Sequence, residues 1–157
     1  MADQTFLSWP FFEERHREYI KRLESWASNK VTNVDHSDTD AACLALVKSL
    51  GKDGWLQLTA AQGQEKLDVR TLCLSRETLA RYDSLADFAF AMQGLGTGAI
   101  SIFGTAKQQE KWLPLTRTGQ ALAAFALTEP QSGSDVANSS MSATEDGDHY
   151  VLNGEKT

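Results

Sequence analysis

The sequence predicts a mainly α protein: an N-terminal helical domain followed by the first strands of an incomplete β-domain. Three observations carry that reading. Apolar residues recur at three- and four-residue steps from Phe12 to Phe103, the period of helices with one buried face. Past Gly119 the period gives way to short apolar runs punctuated by Pro130, Asp146-Gly147 and Asn153-Gly154, the marks of strands and turns. The chain then stops at Thr157, and two or three strands cannot cover their own faces and edges. The expected organisation is a helical domain over 1–118 and the opening of a β-domain over 119–157.

Each element has its own signal. Pro10 suits the first turn of a helix carrying Phe12, His16, Tyr19, Leu23 and Trp26. A polar stretch, Asn29 to Asp38, separates it from a second helix. That helix is capped by Asp38 or Thr39, carries Ala42, Leu46 and Leu50, and is stopped by Gly51. Trp55, Leu56 and Leu58 make the next loop, Gly54 to Leu67, too apolar for a free linker, so it is expected to lie across the core. A third helix is expected from about Asp68 to Tyr82. In the fourth, Leu85, Phe88, Met92, Leu95, Ala99 and Phe103 form one apolar stripe ending at Gly104. Thr105 and Gln108 make a capping box for a short fifth helix ending near Pro114. Ala121 to Leu127 has strand length, and Ser140 to Thr144 with His149 to Leu152 flank an Asp-Gly hairpin turn.

Composition excludes several classes. With 157 residues, 41% hydrophobic and 23% charged, a packed core is expected and wholesale disorder is not. Lys and Arg total 15 against 21 Asp and Glu, a net charge of -6, which argues against nucleic-acid binding through phosphates. No apolar run approaches the roughly 20 residues of a membrane span. The start, Met1-Ala2-Asp3-Gln4, shows no secretory n-region, so a cytoplasmic protein is expected. Cys43 and Cys73 lack metal-ligand spacing and read as free thiols; no metal site is expected. His16, His36 and His149 have no partner spacing and read as surface or turn residues.

Two stretches carry candidate chemistry. Gly94-Leu95-Gly96-Thr97-Gly98-Ala99 satisfies a loose dinucleotide fingerprint, but that motif works only between a strand and a helix. Here the preceding residues are helical, so these glycines serve either close packing or room for a ligand. In the second, Phe125 to Asp135, an apolar run delivers Thr128 and Glu129 to a turn fixed by Pro130. Ser132, Gly133 and Ser134 then present hydroxyls and backbone N–H groups suited to an anion, or simply form a polar loop.

The second stretch, Thr-Glu-Pro-x-x-Gly-Ser-Asp before a hairpin ending in Leu-Asn-Gly-x-Lys, resembles the signature of the acyl-CoA dehydrogenases. These are flavoenzymes of fatty acid metabolism that oxidise the Cα–Cβ bond of acyl-CoA thioesters. Leu50 to Leu58 and Gly104 to Pro114 resemble other family stretches in the same order. The resemblance implies an N-terminal helical domain, a middle β-domain and a C-terminal helical domain, tetrameric in the full-length enzyme, with this chain holding the first and the start of the second. It implies FAD binding through Phe125-Ala126-Leu127-Thr128-Glu129-Pro130-Gln131-Ser132-Gly133-Ser134. Thr128 matches the residue at the flavin's pyrimidine edge, and Ser134 one shared between the pyrophosphate and the CoA substrate. Gln131 and Ser132 stand where Gly-Ala is frequent in the family. Gly96, Thr97, Gly98 and Ser101 match a helix that lines the acyl cavity, with Thr97 and Ser101 as substrate contacts; core packing competes as their explanation.

The family's catalytic base is a C-terminal glutamate that no residue here matches, so no catalytic residue is assigned. Glu129 is expected to serve the turn rather than proton transfer. The expected function is the N-terminal part of a flavin-dependent acyl-CoA dehydrogenase, inactive alone, whose partners are an acyl-CoA substrate and an electron-transfer acceptor. The alternatives are a truncated, non-catalytic interaction module, or a same-fold flavin monooxygenase or nitroso-forming relative.

Overall fold

The computed structural model describes residues 3–63 and 65–157. Met1, Ala2 and Gln64 lie outside them, and with them part of the start read for a leader. Five helices follow in order: α1 (Glu14–Lys30), α2 (Thr39–Lys52), α3 (Val69–Tyr82), α4 (Ser84–Phe103) and α5 (Ala106–Arg117). A hairpin, β1 (Ser142–Asp146) and β2 (His149–Asn153), ends the chain. Contacts divide the molecule into a helical unit ending at Ala124 and a second unit, Phe125–Thr157.

The helix starts are set by aspartates. Asp38, Asp68 and Asp83 accept the first free N–H groups of α2, α3 and α4, those of Ala41, Thr71, Leu85 and Ala86. Thr105 and Gln108 form the expected capping box on α5. The core of the helical unit joins Leu23 and Ala27 of α1, Leu46 and Leu50 of α2, Leu56, Leu79 of α3 and Phe90 of α4. The apolar loop does cross this core: Trp55–Thr59 forms a 3-10 turn with Trp55 and Leu56 buried.

Several expectations are corrected. Pro10 lies outside α1, which starts after Glu13. Arg17 donates to the carbonyls of Leu7 and Phe12, folding that segment over the helix entry. Gly51 does not stop α2; the left-handed residue is Gly54, at φ 81°. Pro114 sits inside α5, which continues to Arg117. Ala121 to Leu127 forms no regular element and pairs with no strand among the described residues.

The largest correction concerns α4. Its buried face is Ala86, Ala89, Phe90, Gln93 and Thr97. Of the predicted stripe, Phe88, Leu95 and Phe103 are exposed. Phe90 fills the core from the same side as Ala86, Ala89 and Thr97, and Phe88, Leu95 and Phe103 are left on the open face. By length and composition α4 is also long and apolar enough to cross a membrane (20 residues, hydropathy 1.2), against the expectation that no such run exists. Its inner face instead joins the core with α2 and α3.

In the second unit β1 and β2 pair antiparallel, Ser142 with Asn153 through Asp146 with His149, around Gly147 at φ 66°. Every residue of both strands is exposed.

Candidate functional site

The signature segment is organised by one carboxylate. Glu129 and Ser132 exchange backbone N–H···O bonds of 2.9 and 3.0 Å around Pro130-Gln131, closing a tight turn. The Glu129 side chain is only 1% exposed. It accepts from Ser140 N–H (2.6 Å), the Ser140 hydroxyl (3.0 Å), Met141 N–H (3.1 Å), Gln131 Nε2 (2.6 Å) and Lys156 Nζ (2.8 Å). Lys156 also donates to the Leu127 carbonyl, and Thr157 N–H to that of Thr128. The Asn-Gly-x-Lys stretch thus returns onto the Thr-Glu-Pro stretch, a pairing that spacing alone did not reveal. Gln131 and Ser132, the departures from the family pattern, add internal bonds: Gln131 to Glu129 and Ser140, Ser132 to the Asp135 carbonyl.

The ammonium of Lys156, then the Ser140 N–H, hold the Glu129 carboxyl down at about 2 against the opposing effect of burial, from 4.5 when free. A carboxyl depressed on folding stabilises above its unfolded pKa, and that contribution is lost as pH falls from about 4.5 toward 2. A carboxyl-carbon NMR titration is expected to put Glu129 near the lower value, and Lys156→Met to raise it. An unshifted midpoint in the unsubstituted protein would contradict the arrangement.

What this turn leaves free matters for binding. The hydroxyl and N–H of Thr128, the N–H of Gly133 and the hydroxyl and N–H of Ser134 donate to nothing among the described residues. Thr128, Gly133 and Ser134 are exposed, as are Phe125, Ala126 and Leu127 before them. The segment therefore offers donors, and no free carboxylate of Glu129, to an acceptor-rich or anionic ligand.

The helical unit holds a separate feature, an open cavity of about 580 Å³ between α3 and α4. Its wall is largely apolar, with Leu72 of α3 and Phe88, Ala91, Met92 and Leu95 of α4. The size and lining suit an apolar ligand. Thr97 and Ser101 do not line it. Thr97 is buried four residues after Gln93 on the inner face of α4, its hydroxyl donating to the Gln93 carbonyl at 2.7 Å. The Ser101 hydroxyl is buried without a partner among the described residues. Sequence reasoning found Phe88, Met92 and Leu95 but assigned them to the core. Ala86, Ala89 and Phe90, on the other side of the same helix, signalled that α4 has two usable faces.

The glycines of the decoy motif divide between the two roles. A Cβ on Gly96 would stand 2.7 Å from Ala124 N, so this glycine admits the backbone that leaves α5. Gly94 lines the cavity, and Gly98 faces open space. The histidines also divide. His16, expected at the surface, is fully buried, with Nδ1 accepting the Glu13 N–H at 2.9 Å. His36 lies 2.8 Å from Asp83, and His149 is exposed beside Asp148. Cys43 and Cys73 are free.

Comparison with known proteins agrees with the signature. Residues 13–120 match the acyl-CoA dehydrogenase N-terminal domain, and residues 124–157 the acyl-CoA dehydrogenase middle domain. The very long-chain specific acyl-CoA dehydrogenase, mitochondrial, of Mus musculus is 53% identical over 98% of this chain and 25% of its own length. A 3-(aryl)acrylate reductase of Clostridium sporogenes is 31% identical over 94% of this chain and 40% of its own. The crystal structure of an acyl-CoA dehydrogenase complexed with FAD from Bacillus anthracis matches with a TM-score of 0.77 at 31% identity, over 99% of this chain and 30% of that one. The chain thus spans 22% and 25% of the length of two curated dehydrogenases that it matches. With both units matched in order and the helical unit matched over most of its length, this chain belongs to the acyl-CoA dehydrogenase family.

Proposed function

We propose that this chain supplies the helical domain and the start of the middle domain of an FAD-dependent enzyme that oxidises the Cα–Cβ bond of an acyl-CoA thioester. The observation that carries the proposal is the set of unpartnered, exposed donors at Thr128, Gly133 and Ser134 in a member of this family. Those donors fit the group: a flavin presents acceptors at its pyrimidine edge and anionic oxygens at its pyrophosphate. Bound FAD supplies the hydride acceptor for the β-hydrogen. Thr128 would donate to the flavin's pyrimidine edge, where a donor favours negative charge. Gly133 and Ser134 N–H groups hold phosphate oxygens, with no bulk at Gly133 to keep the backbone away. The cavity along α4 takes the apolar acyl chain out of water. No side chain here takes the α-proton: Glu129, the carboxylate of the signature, is occupied by Lys156, Ser140, Met141 and Gln131. The base, the electron-transfer acceptor and the tetrameric partners belong to the whole enzyme in this proposal.

The test is an amide NMR titration of the purified chain with FAD. Binding is expected to be weak, with shifts confined to the neighbourhood of Thr128, Gly133 and Ser134 and absent from the tip of the β1–β2 hairpin. Dye-linked oxidation of acyl-CoA is expected to be nil. Turnover by this chain alone would overturn the placing of the base outside it, and shifts centred elsewhere would overturn the assignment of the donors. The similarity to a 3-(aryl)acrylate reductase favours a second reading, in which the same residues serve reduction of a Cα=Cβ bond.

A further inference from the structure

An asparagine side chain can close onto the backbone nitrogen of the next residue, and does so most readily when that residue is glycine, because no Cβ shields the nitrogen. Asn29, Asn33, Asn138 and Asn153 are the asparagines of the chain, and only Asn153 precedes a glycine. A fold suppresses the reaction where it holds the nitrogen or the side chain. Lys30 N–H lies inside α1, and Asn29 Nδ2 donates to the Ser25 carbonyl at 2.6 Å. Ser139 N–H, after Asn138, donates to the Val136 carbonyl, and Asn33 precedes the β-branched Val34. At Asn153 neither restraint is present. Among the described residues Gly154 N–H donates to nothing, and nor does the Asn153 side-chain amide. Both residues are exposed. The fold also keeps glycine at this place: Gly154 lies at φ 150°, and a Cβ there would stand 2.8 Å from Met141 Cβ. Asp53-Gly54 is the contrast, with Gly54 N–H bound to the Gly51 carbonyl and the Asp53 carboxylate to Trp26 Nε1. Asp146-Gly147 offers a carboxylate, a poorer electrophile than an amide.

We propose that Asn153-Gly154 is a self-modification site, and that its rearrangement releases Lys156 and Thr157 from the signature segment. The Gly154 nitrogen gives its proton to hydroxide and attacks Asn153 Cγ. The Cγ–Nδ2 bond breaks, and the leaving nitrogen takes a proton from water and departs as ammonia, closing a five-membered succinimide. Water then opens the ring. Opening at Cγ leaves aspartate; opening at the Asn153 backbone carbon leaves isoaspartate, with one extra carbon in the main chain. That carbon enters a short segment held at both ends. Asn153 is fixed in register opposite Ser142. Three residues on, Lys156 Nζ reaches Glu129 at 2.8 Å and the Leu127 carbonyl at 2.9 Å, and Thr157 N–H reaches the Thr128 carbonyl at 2.9 Å. These bonds fit one chain length, so the isoaspartyl form gives them up. The effect on the donors of Thr128 as a flavin contact rests on the FAD reading above; the modification itself does not.

The experiment ages the 157-residue chain at physiological temperature in neutral and in mildly alkaline buffer. Ammonia release, peptide mass mapping and labelling by an isoaspartate methyltransferase follow the reaction. Modification is expected at Asn153 before any other asparagine and faster in the alkaline buffer. Asn153→Gln, whose longer side chain closes the larger ring poorly, is expected to abolish it at this position. In the isoaspartyl protein the Thr157 amide is expected to exchange hydrogen about tenfold faster or more, and the Glu129 carboxyl midpoint to rise as in Lys156→Met. Asn153→Asp carries the charge without the extra carbon and is expected to leave both unchanged. Core signals from Leu46 and Leu50 report that the helical unit is intact. If Asn153 stays unmodified, or another asparagine reacts first, the site is wrong. If Asn153 forms isoaspartate while the Thr157 and Glu129 signals stay as they were, the release is wrong. If FAD shifts nothing at Thr128 in the fresh protein, the flavin reading falls and the modification results stand or fall by themselves.

Discussion

Gly51→Ala is expected to destabilise the helical unit by about 3 kcal/mol, the upper part of the usual range for overpacking. An added Cβ would stand 2.3 Å from the Thr118 carbonyl oxygen and 2.5 Å from Gly119 N. These are backbone atoms, so no side chain can swing aside. Gly119 is bound in the same contact: its φ is +70°, and a Cβ there would meet the Val47 oxygen at 2.6 Å. The two glycines let α2 and the end of α5 touch backbone to backbone. Thermal unfolding is expected to shift down by roughly 10 °C. Gly98→Ala is the matched control. It lies inside α4 with nothing within 4 Å of the added carbon, so it is expected to stabilise by about 0.5 kcal/mol or more through helix propensity. Equal effects at both positions would refute the packing argument.

Gln93→Leu is the second large effect. The Gln93 amide is buried and donates to the carbonyls of Thr116 (2.9 Å) and Ala121 (3.0 Å), while its oxygen accepts the Ala123 N–H at 2.7 Å. Thr116 keeps another donor in Gly119 N–H. Ala121 and Ala123, both half-buried, each lose a partner, and an unpaired backbone group costs about 1–3 kcal/mol when fully buried. The expected loss is therefore about 2 kcal/mol, with hydrogen exchange at the Ala123 amide faster by at least tenfold. Gln93→Glu preserves shape but sets an oxygen against two carbonyl oxygens, and is expected to do no better. An Ala123 amide that stays protected in both variants would show that Gln93 does not hold the segment after α5.

Helix starts were legible because an N-cap is a local device: Asp38, Asp68 and Asp83 each satisfy N–H groups two or three residues on. The hairpin was legible for the same reason, although its two turn residues are Gly147 and Asp148 and Asp146 closes β1 opposite His149. Helix ends were less so. Gly51 reads as a stop, yet its lack of a side chain answers a contact with Thr118, far along the chain. The strand expected at Ala121 to Leu127 failed because a strand needs a partner, and Ala123 N–H bonds a glutamine side chain instead. Within the site, Thr128, Glu129 and Ser134 were found from motif and resemblance, and Lys156 was quoted only as part of the hairpin's end. Its bond to Glu129 spans 27 residues.

The sequence by itself determined the class of elements, their caps, the turn at Pro130 and the family signature, because each depends on residues within about one turn of one another. Only the tertiary structure decided which face of α4 is buried, that Thr97 points inward while Phe88 and Leu95 line a cavity, and that Arg76 of α3 meets Asp87 of α4. A helix with apolar residues on two sides, Phe90 with Ala86 and Ala89 on one and Phe88 with Leu95 on the other, satisfies the same period whichever side packs. The side that packs is the one where Gly96 admits close backbone approach, and that approach is made by residues that the local pattern does not contain.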